Sequence, residues 1–197
     1  RDTLRQVATI ANKHRILVIS DEIYEKLAFG EPPILSIVTV APECTERIVV
    51  VNGISKAYAM TGWRIGYAAG PKDLIAAMSK IQGQSTSNPT SISQKAAVAA
   101  LNSWAAFFEE MVKDLRPKRD FLVKQLNAIS GVTCPTPSGA FYAYPNVAGL
   151  LGRHHSGGAI STTAELANYL LEEAHLACVP GETYGSSSHL RLSYTPT

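Results

Sequence analysis

Leu4, Val7, Ala8 and Ala11 recur at three- and four-residue steps, a spacing that predicts a helix already under way at the first turns of the chain. The short continuous apolar run Ile16-Leu17-Val18-Ile19 follows and predicts a buried strand. A second β-rich run, Ile48-Val49-Val50-Val51, and a third from Ile65 to Ala69 come next, before a helix after Pro71 with Leu74, Met78 and Ile81 on one face. Strand and helix in alternation predict a layered α/β domain.

Asn88-Pro89 predicts an N-cap followed by proline at the first helical position. Leu101, Trp104, Phe108, Met111 and Leu115 continue at helical steps, and with Phe107 they read as packing residues. Pro117 is expected to end or kink that helix, after which Leu122, Leu126 and Ile129 restart the pattern. From Gly131 the texture changes to short strands, at Ala140 to Tyr144, Leu176 to Val179 and Leu190 to Tyr194. Between the first two stand a Gly/His/Ser loop from Gly152 to Gly158 and a helix opened by the capping box Thr162-Thr163-Ala164-Glu165. Gly181 reads as a turn. The expected organisation is residues 1–88 as part of a large α/β domain, 89–130 as connecting helices, and 131–197 as a small, truncated α+β domain. Position 1 is not Met and the last strand stops three residues short of the terminus, so both ends read as cuts in a longer chain.

Composition narrows the partners. At 197 residues, 46% hydrophobic and 17% charged, the chain can bury a real core. A net charge of +2 without a basic block points away from nucleic acid and anionic membranes and toward small-molecule chemistry. Cys44, Cys134 and Cys178 are odd in number and lack metal-ligand spacing, which predicts free thiols in a reducing compartment. No segment approaches the ~18–20 apolar residues that span a bilayer, and the expected location is the cytoplasm.

The segment Asn52-Gly53-Ile54-Ser55-Lys56 through Gly62-Trp63-Arg64-Ile65-Gly66 sets a lysine just after a strand and an arginine just before the next. Open α/β sheets bind ligands at strand ends. A deprotonated lysine amine is a nucleophile toward an aldehyde, and a guanidinium fork suits a phosphate. Asp21, directly after the first strand, offers a carboxylate for a protonated ring nitrogen, and Tyr24 a hydroxyl for a ring oxygen. Arg191, alternating with leucines, offers a bidentate clamp for a carboxylate if it faces the site. Each residue alone also has an ordinary reading, as a solvated charge or a turn former; together they describe what pyridoxal 5'-phosphate (PLP) needs. His154-His155 lack a completing ligand and read as surface loop.

Asp21-Glu22-Ile23-Tyr24, Ser55-Lys56 through Gly66, Ser87-Asn88-Pro89-Thr90-Ser91, Gly139-Ala140-Phe141-Tyr142 and Leu190-Arg191-Leu192-Ser193-Tyr194 together resemble the class I/II aminotransferases of PLP fold type I. The likeness is nearest to the bacterial and plant-plastid aspartate/prephenate branch and runs over essentially the whole chain. It implies that Lys56 carries PLP covalently and moves the proton during transamination, that Asp21 and Tyr24 hold the ring, and that Arg64 binds its phosphate. Arg191 is then the substrate carboxylate site, and the Ser87 to Ser91 loop approaches the cofactor of a partner subunit in a homodimer. Aspartate or glutamate as donor, with a 2-oxo acid as acceptor, is the implied chemistry. An aromatic or alanine aminotransferase, or a non-catalytic dimerisation module, is the alternative. Gly53 departs from related branches that carry a phosphate-binding serine three residues before the lysine. The family's Asn-Pro motif and phosphate-cradling loop are expected upstream of position 1.

Overall fold

The computed structural model describes residues 1–30, 34–102, 106–155 and 158–195, and the chain divides into two compact units, Arg1–Glu110 and Met111–Thr197. The division falls inside the helical region expected over 89–130.

The first unit begins with α1 (Asp2–His14), whose ends carry the charges a helix dipole favours: Asp2 in the first turn, Lys13 and His14 in the last. Arg15 closes it in the left-handed conformation and donates its N–H back to the last turn. Ala8 of α1 packs with Ile37 of the short helix α2 (Ile37–Val40), with Ala41 and Cys44, and with Ile48 of β2 (Ile48–Gly53). β1 (Val18–Asp21) lies parallel to β2, with Asp21 opposite Val51, and β3 (Gly66–Ala69) lies antiparallel to β2, with Gly66 opposite Gly53. The sheet order is β1-β2-β3.

The strand expected over Ile16 to Ile19 is displaced and uncovered. It starts at Val18, alternates half-buried with exposed, and leaves Ile19 74% exposed. An edge strand whose apolar neighbours lie on one side buries only every second residue. The helix after Pro71 is present as α3 (Lys72–Ser85), yet none of its residues is buried and Ile81 is 71% exposed.

α4 (Ser91–Asn102) starts two residues later than the Asn88-Pro89 cap implied. Ser87 is left-handed and the Asn88 amide bonds the Pro89 carbonyl, so neither group caps the helix; its first turn bonds the carbonyl of Thr90. Trp104 lies outside the described residues. α5 (Ala106–Asn127) runs through Pro117 instead of ending there. Proline removes one helical hydrogen bond at an expected cost of about 3 kcal/mol. Leu115 and Val123, buried on either side of an exposed Pro117, offset it.

In the second unit the Asn127 side chain clamps the backbone of Cys134, accepting from its N–H and donating to its carbonyl at 2.9 Å each. The expected strands shrink to β4 (Tyr142–Ala143), β7 (Val179–Pro180) and β8 (Leu190–Ser193), which form one sheet in the order β4-β8-β7. Pro145 and Pro180 lack the N–H that would extend the ladder. The expected loop at Gly152 to Gly158 contains a short hairpin, β5 (His154–His155) against β6 (Gly158–Ala159). Val132, Val147, Ile160, Leu166, Ala167, Leu190 and Leu192 form the core beneath the sheet.

The capping box opens α6 (Thr163–Ala174) as expected: Thr162 Oγ1 accepts from Glu165 N, and the Glu165 carboxylate accepts from Thr162 N. Unforeseen is Glu182, whose carboxylate accepts from both the N–H and the hydroxyl of the fully buried Thr163. The Thr163 hydroxyl bond holds the Glu182 carboxyl below its ordinary value of 4.5. A lowered folded-state value stabilises the fold above about 4.5, and that contribution is lost as pH falls through the depressed value. Urea unfolding from about pH 6 down to about pH 3 is expected to show this loss in the wild type and a shallower one in Glu182→Gln. Equal slopes would dismiss the carboxylate's role.

Candidate functional site

Because β1 and β2 are parallel and β3 antiparallel, the end of β1, the end of β2 and the start of β3 share one edge of the sheet. That edge receives Asp21 and Tyr24 from β1, and Lys56 and Arg64 from the connection of residues 54–65. The backbone is crowded there. A Cβ at Gly53 would stand 3.1 Å from both Ile23 Cδ1 and the Ile65 carbonyl, so a serine side chain has no ready room where related branches place one.

Lys56 sits in a turn that follows directly from β2. Tyr58 N donates to the Ile54 carbonyl and Ala59 N to the Lys56 carbonyl, and Ala59 takes a left-handed φ of 51°. Beneath the turn Ile54 is fully buried against Ala97 and Ala100 of α4, with Tyr58, Met60 and Ile65 around it. The half-buried Lys56 has its Nζ 5.7 Å from the centroid of the Tyr24 ring, the arrangement of a cation over an aromatic face.

Arg64 also takes a left-handed conformation, φ 52°, and its Nη1 donates to the Thr61 carbonyl at 2.8 Å. Two non-glycine residues in this region within one short connection store strain of about 1–3 kcal/mol each, a cost that concentrates where a side chain must be aimed. Asp21 is exposed, and its Oδ1 accepts from Ile23 N at 3.2 Å, which turns the chain toward Tyr24. Lys56 and Tyr24 are therefore brought together, with Asp21 and Arg64 along the same edge.

The sequence left the supporting residues unassigned. Glu22 accepts from the hydroxyls of Ser20 and Ser36 and from Ile37 N, which pins the segment after β1 to the start of α2. Burial raises the hydroxyl pKa values of Tyr58 and Tyr67, and the Glu25 charge raises them further. Tyr58 packs edge-on against Phe108 at 5.0 Å. Glu22 and Glu25 lie inside the Asp21 to Tyr24 neighbourhood, but single acidic residues beside a turn carry no signal of which partner they will meet.

Arg191 belongs to the second unit. Its Cζ lies 4.7 Å from the Tyr142 ring centroid and 4.9 Å from that of Tyr184. Tyr184 meets Tyr144 edge-on at 6.3 Å, and Tyr144 stacks on His189 at 4.7 Å. The His189 Nδ1 is shared between the hydroxyls of Ser186 and Ser188, at 2.7 and 3.0 Å. Among the described residues no group of three or more His, Cys, Asp or Glu side chains is placed to hold a metal, and none of the helices is long and apolar enough to cross a membrane. Cys44, Cys134 and Cys178 are free thiols.

The whole chain, residues 1–197, matches the family model described as aminotransferase class I and II. An aspartate aminotransferase of Streptomyces avermitilis is 44% identical over 98% of this chain and 48% of its own length. A probable aspartate/prephenate aminotransferase of Rhizobium leguminosarum bv. phaseoli is 45% identical over 98% of this chain and 49% of its own. The crystal structure of the aspartate aminotransferase from Rhizobium meliloti superposes with a TM-score of 0.90 at 42% identity, covering 97% of this chain and 48% of that one. The chain thus spans about half the length of the relatives it matches.

Proposed function

From the premise that the chain belongs to the class I and II aminotransferase family and carries part of its fold type I architecture, we propose that it is the lysine-bearing part of a PLP-dependent aminotransferase. Aspartate or glutamate is the donor, and oxaloacetate, 2-oxoglutarate or prephenate the 2-oxo acid. The observation that carries the reading is the donor set at one sheet edge: an amine on Lys56, a guanidinium on Arg64, a carboxylate on Asp21 and a phenol on Tyr24. An aromatic aldehyde bearing a phosphate, a basic ring nitrogen and a ring oxygen offers one complement to each.

When bound, PLP supplies an electron-withdrawing ring that accepts the charge released as the substrate Cα–H ionises. Lys56 would hold the cofactor through its aldehyde, and its amine, when free, would be the group that takes and returns a proton at the substrate Cα. Asp21 would hold the ring nitrogen in its protonated form, and the Tyr24 hydroxyl would donate to the ring oxygen. Arg64 presents its fork to the phosphate and Arg191 its fork to the substrate α-carboxylate. We place the enzyme in the cytoplasm as a homodimer, with the Ser87 to Ser91 segment approaching the partner subunit's phosphate.

Borohydride reduction of the protein incubated with PLP, followed by peptide mass mapping, is expected to fix the phosphopyridoxyl group on Lys56. Labelling elsewhere, or undiminished labelling of Lys56→Ala, would overturn the assignment. Comparing aspartate, phenylalanine and alanine as amino donors then separates this reading from an aromatic or alanine aminotransferase.

A further inference from the structure

We infer that Tyr184, together with Tyr142, is a positioning residue for Arg191, holding the guanidinium over two aromatic rings so that its N–H fork stays available to a carboxylate. The inference rests on the reading of Arg191 as the substrate carboxylate site.

Arg191 carries five N–H donors. Among the described residues none of them donates to a protein acceptor, and no carboxylate lies within ion-pair distance, although the residue is half-buried in β8. A protein acid beside it would occupy the fork and compete with an incoming anion. The two ring faces, at 4.7 and 4.9 Å from Cζ, stabilise the charge without consuming donors.

The rings are held from outside the arginine. Tyr142 lies in β4, whose partner is β8 itself, and its ring meets Phe141 at 4.8 Å. Tyr184 ends a tight 3-10 turn, Gly181–Tyr184, that is tied down at several points. Gly181 N donates to the His189 carbonyl at 2.8 Å and Ser186 N to the Gly181 carbonyl at 2.9 Å, while Glu182 binds the first residue of α6. A Cβ at Gly181 would come within 2.5 Å of the carbonyl oxygens of His189 and Ser186, so only glycine admits this closure. The Tyr144 ring, stacked on His189, backs Tyr184. Tyr184 is nonetheless 49% exposed, so its ring contributes little to the core, and its replacement separates positioning from folding.

Two measurements test this. In protein labelled with 15N-arginine, the Nε–Hε resonance assigned by Arg191→Lys is expected upfield, shifted by the ring currents. The shift should survive Tyr184→Phe and collapse in Tyr184→Leu. Titration with succinate as the carboxylate probe should move the same resonance, with affinity falling about three- to tenfold in Tyr184→Leu and unchanged in Tyr184→Phe. In the holoenzyme KM for aspartate should rise by the same factor while kcat stays put. If the wild-type resonance ignores succinate, Arg191 is not a carboxylate site, and both the reading and the inference fall. If the wild type binds succinate and Tyr184→Leu binds it equally well, the inference alone is overturned.

Discussion

Replacing Lys56 with alanine is expected to lower kcat for transamination about 10²- to 10⁴-fold, the span of a positioned general acid–base group. The loss should be near the upper end because the hydroxyls of Tyr58 and Tyr67, on the same unit, cannot stand in for the amine. Burial and the Glu25 charge push the hydroxyls of Tyr58 and Tyr67 up, so both stay protonated at neutral pH and accept no proton from Cα. The turn should survive, since its closing bonds are backbone bonds, from Tyr58 N to the Ile54 carbonyl and from Ala59 N to the Lys56 carbonyl. Single-turnover kinetics with aspartate, on protein whose circular dichroism matches wild type, is the measurement. A loss smaller than about tenfold would mean that another group moves the proton.

Ile54→Ala is expected to cost about 2–5 kcal/mol of folding stability, the range for deleting a large aliphatic side chain from a packed core. Ile54 is fully buried against Ala97 and Ala100 of α4. The two alanines cannot reach into the space left behind, so the cost depends on how far Tyr58, Met60 and Ile65 relax into it. Ile54→Val should cost only about 0.5–1.5 kcal/mol, because one methylene is removed and the contacts persist. Urea denaturation with unchanged m-values checks both variants. A shift under about 1 kcal/mol for Ile54→Ala would show that the turn is held by its backbone alone. Ile54 stands two positions before Lys56, so the same variant should also loosen the lysine's placement over the Tyr24 ring.

Much of the fold was legible locally. The helical steps of Leu74, Met78 and Ile81, the run Ile48 to Val51, and the Thr162 to Glu165 capping box each encode an element in the residues that form it. Burial was less legible. Ile16, Leu17 and Ile81 are as apolar as core residues, yet all are exposed, because periodicity says which face is apolar and not what covers it. Pro117 misled in the opposite direction: a strong local penalty was overridden by buried positions on both sides of it.

The candidate site divides along the same line. The chain by itself determined the residue types and their order: Asp21 and Tyr24 after one strand, Lys56 after the next, Arg64 before the third, and Arg191 within the last. These follow from side-chain chemistry and from where strands end, which are short-range properties. Only the tertiary structure decided that β3 runs antiparallel and so returns Arg64 to the edge that carries Lys56. It also decided that a Cβ at Gly53 would crowd Ile23 and the Ile65 carbonyl, that Glu22 ties the first strand's tail to α2, and that Tyr142 and Tyr184 flank Arg191 while Glu182 binds Thr163. Those contacts join residues far apart in the chain, and no spacing rule reaches across such distances. Which residues meet is fixed when the core packs.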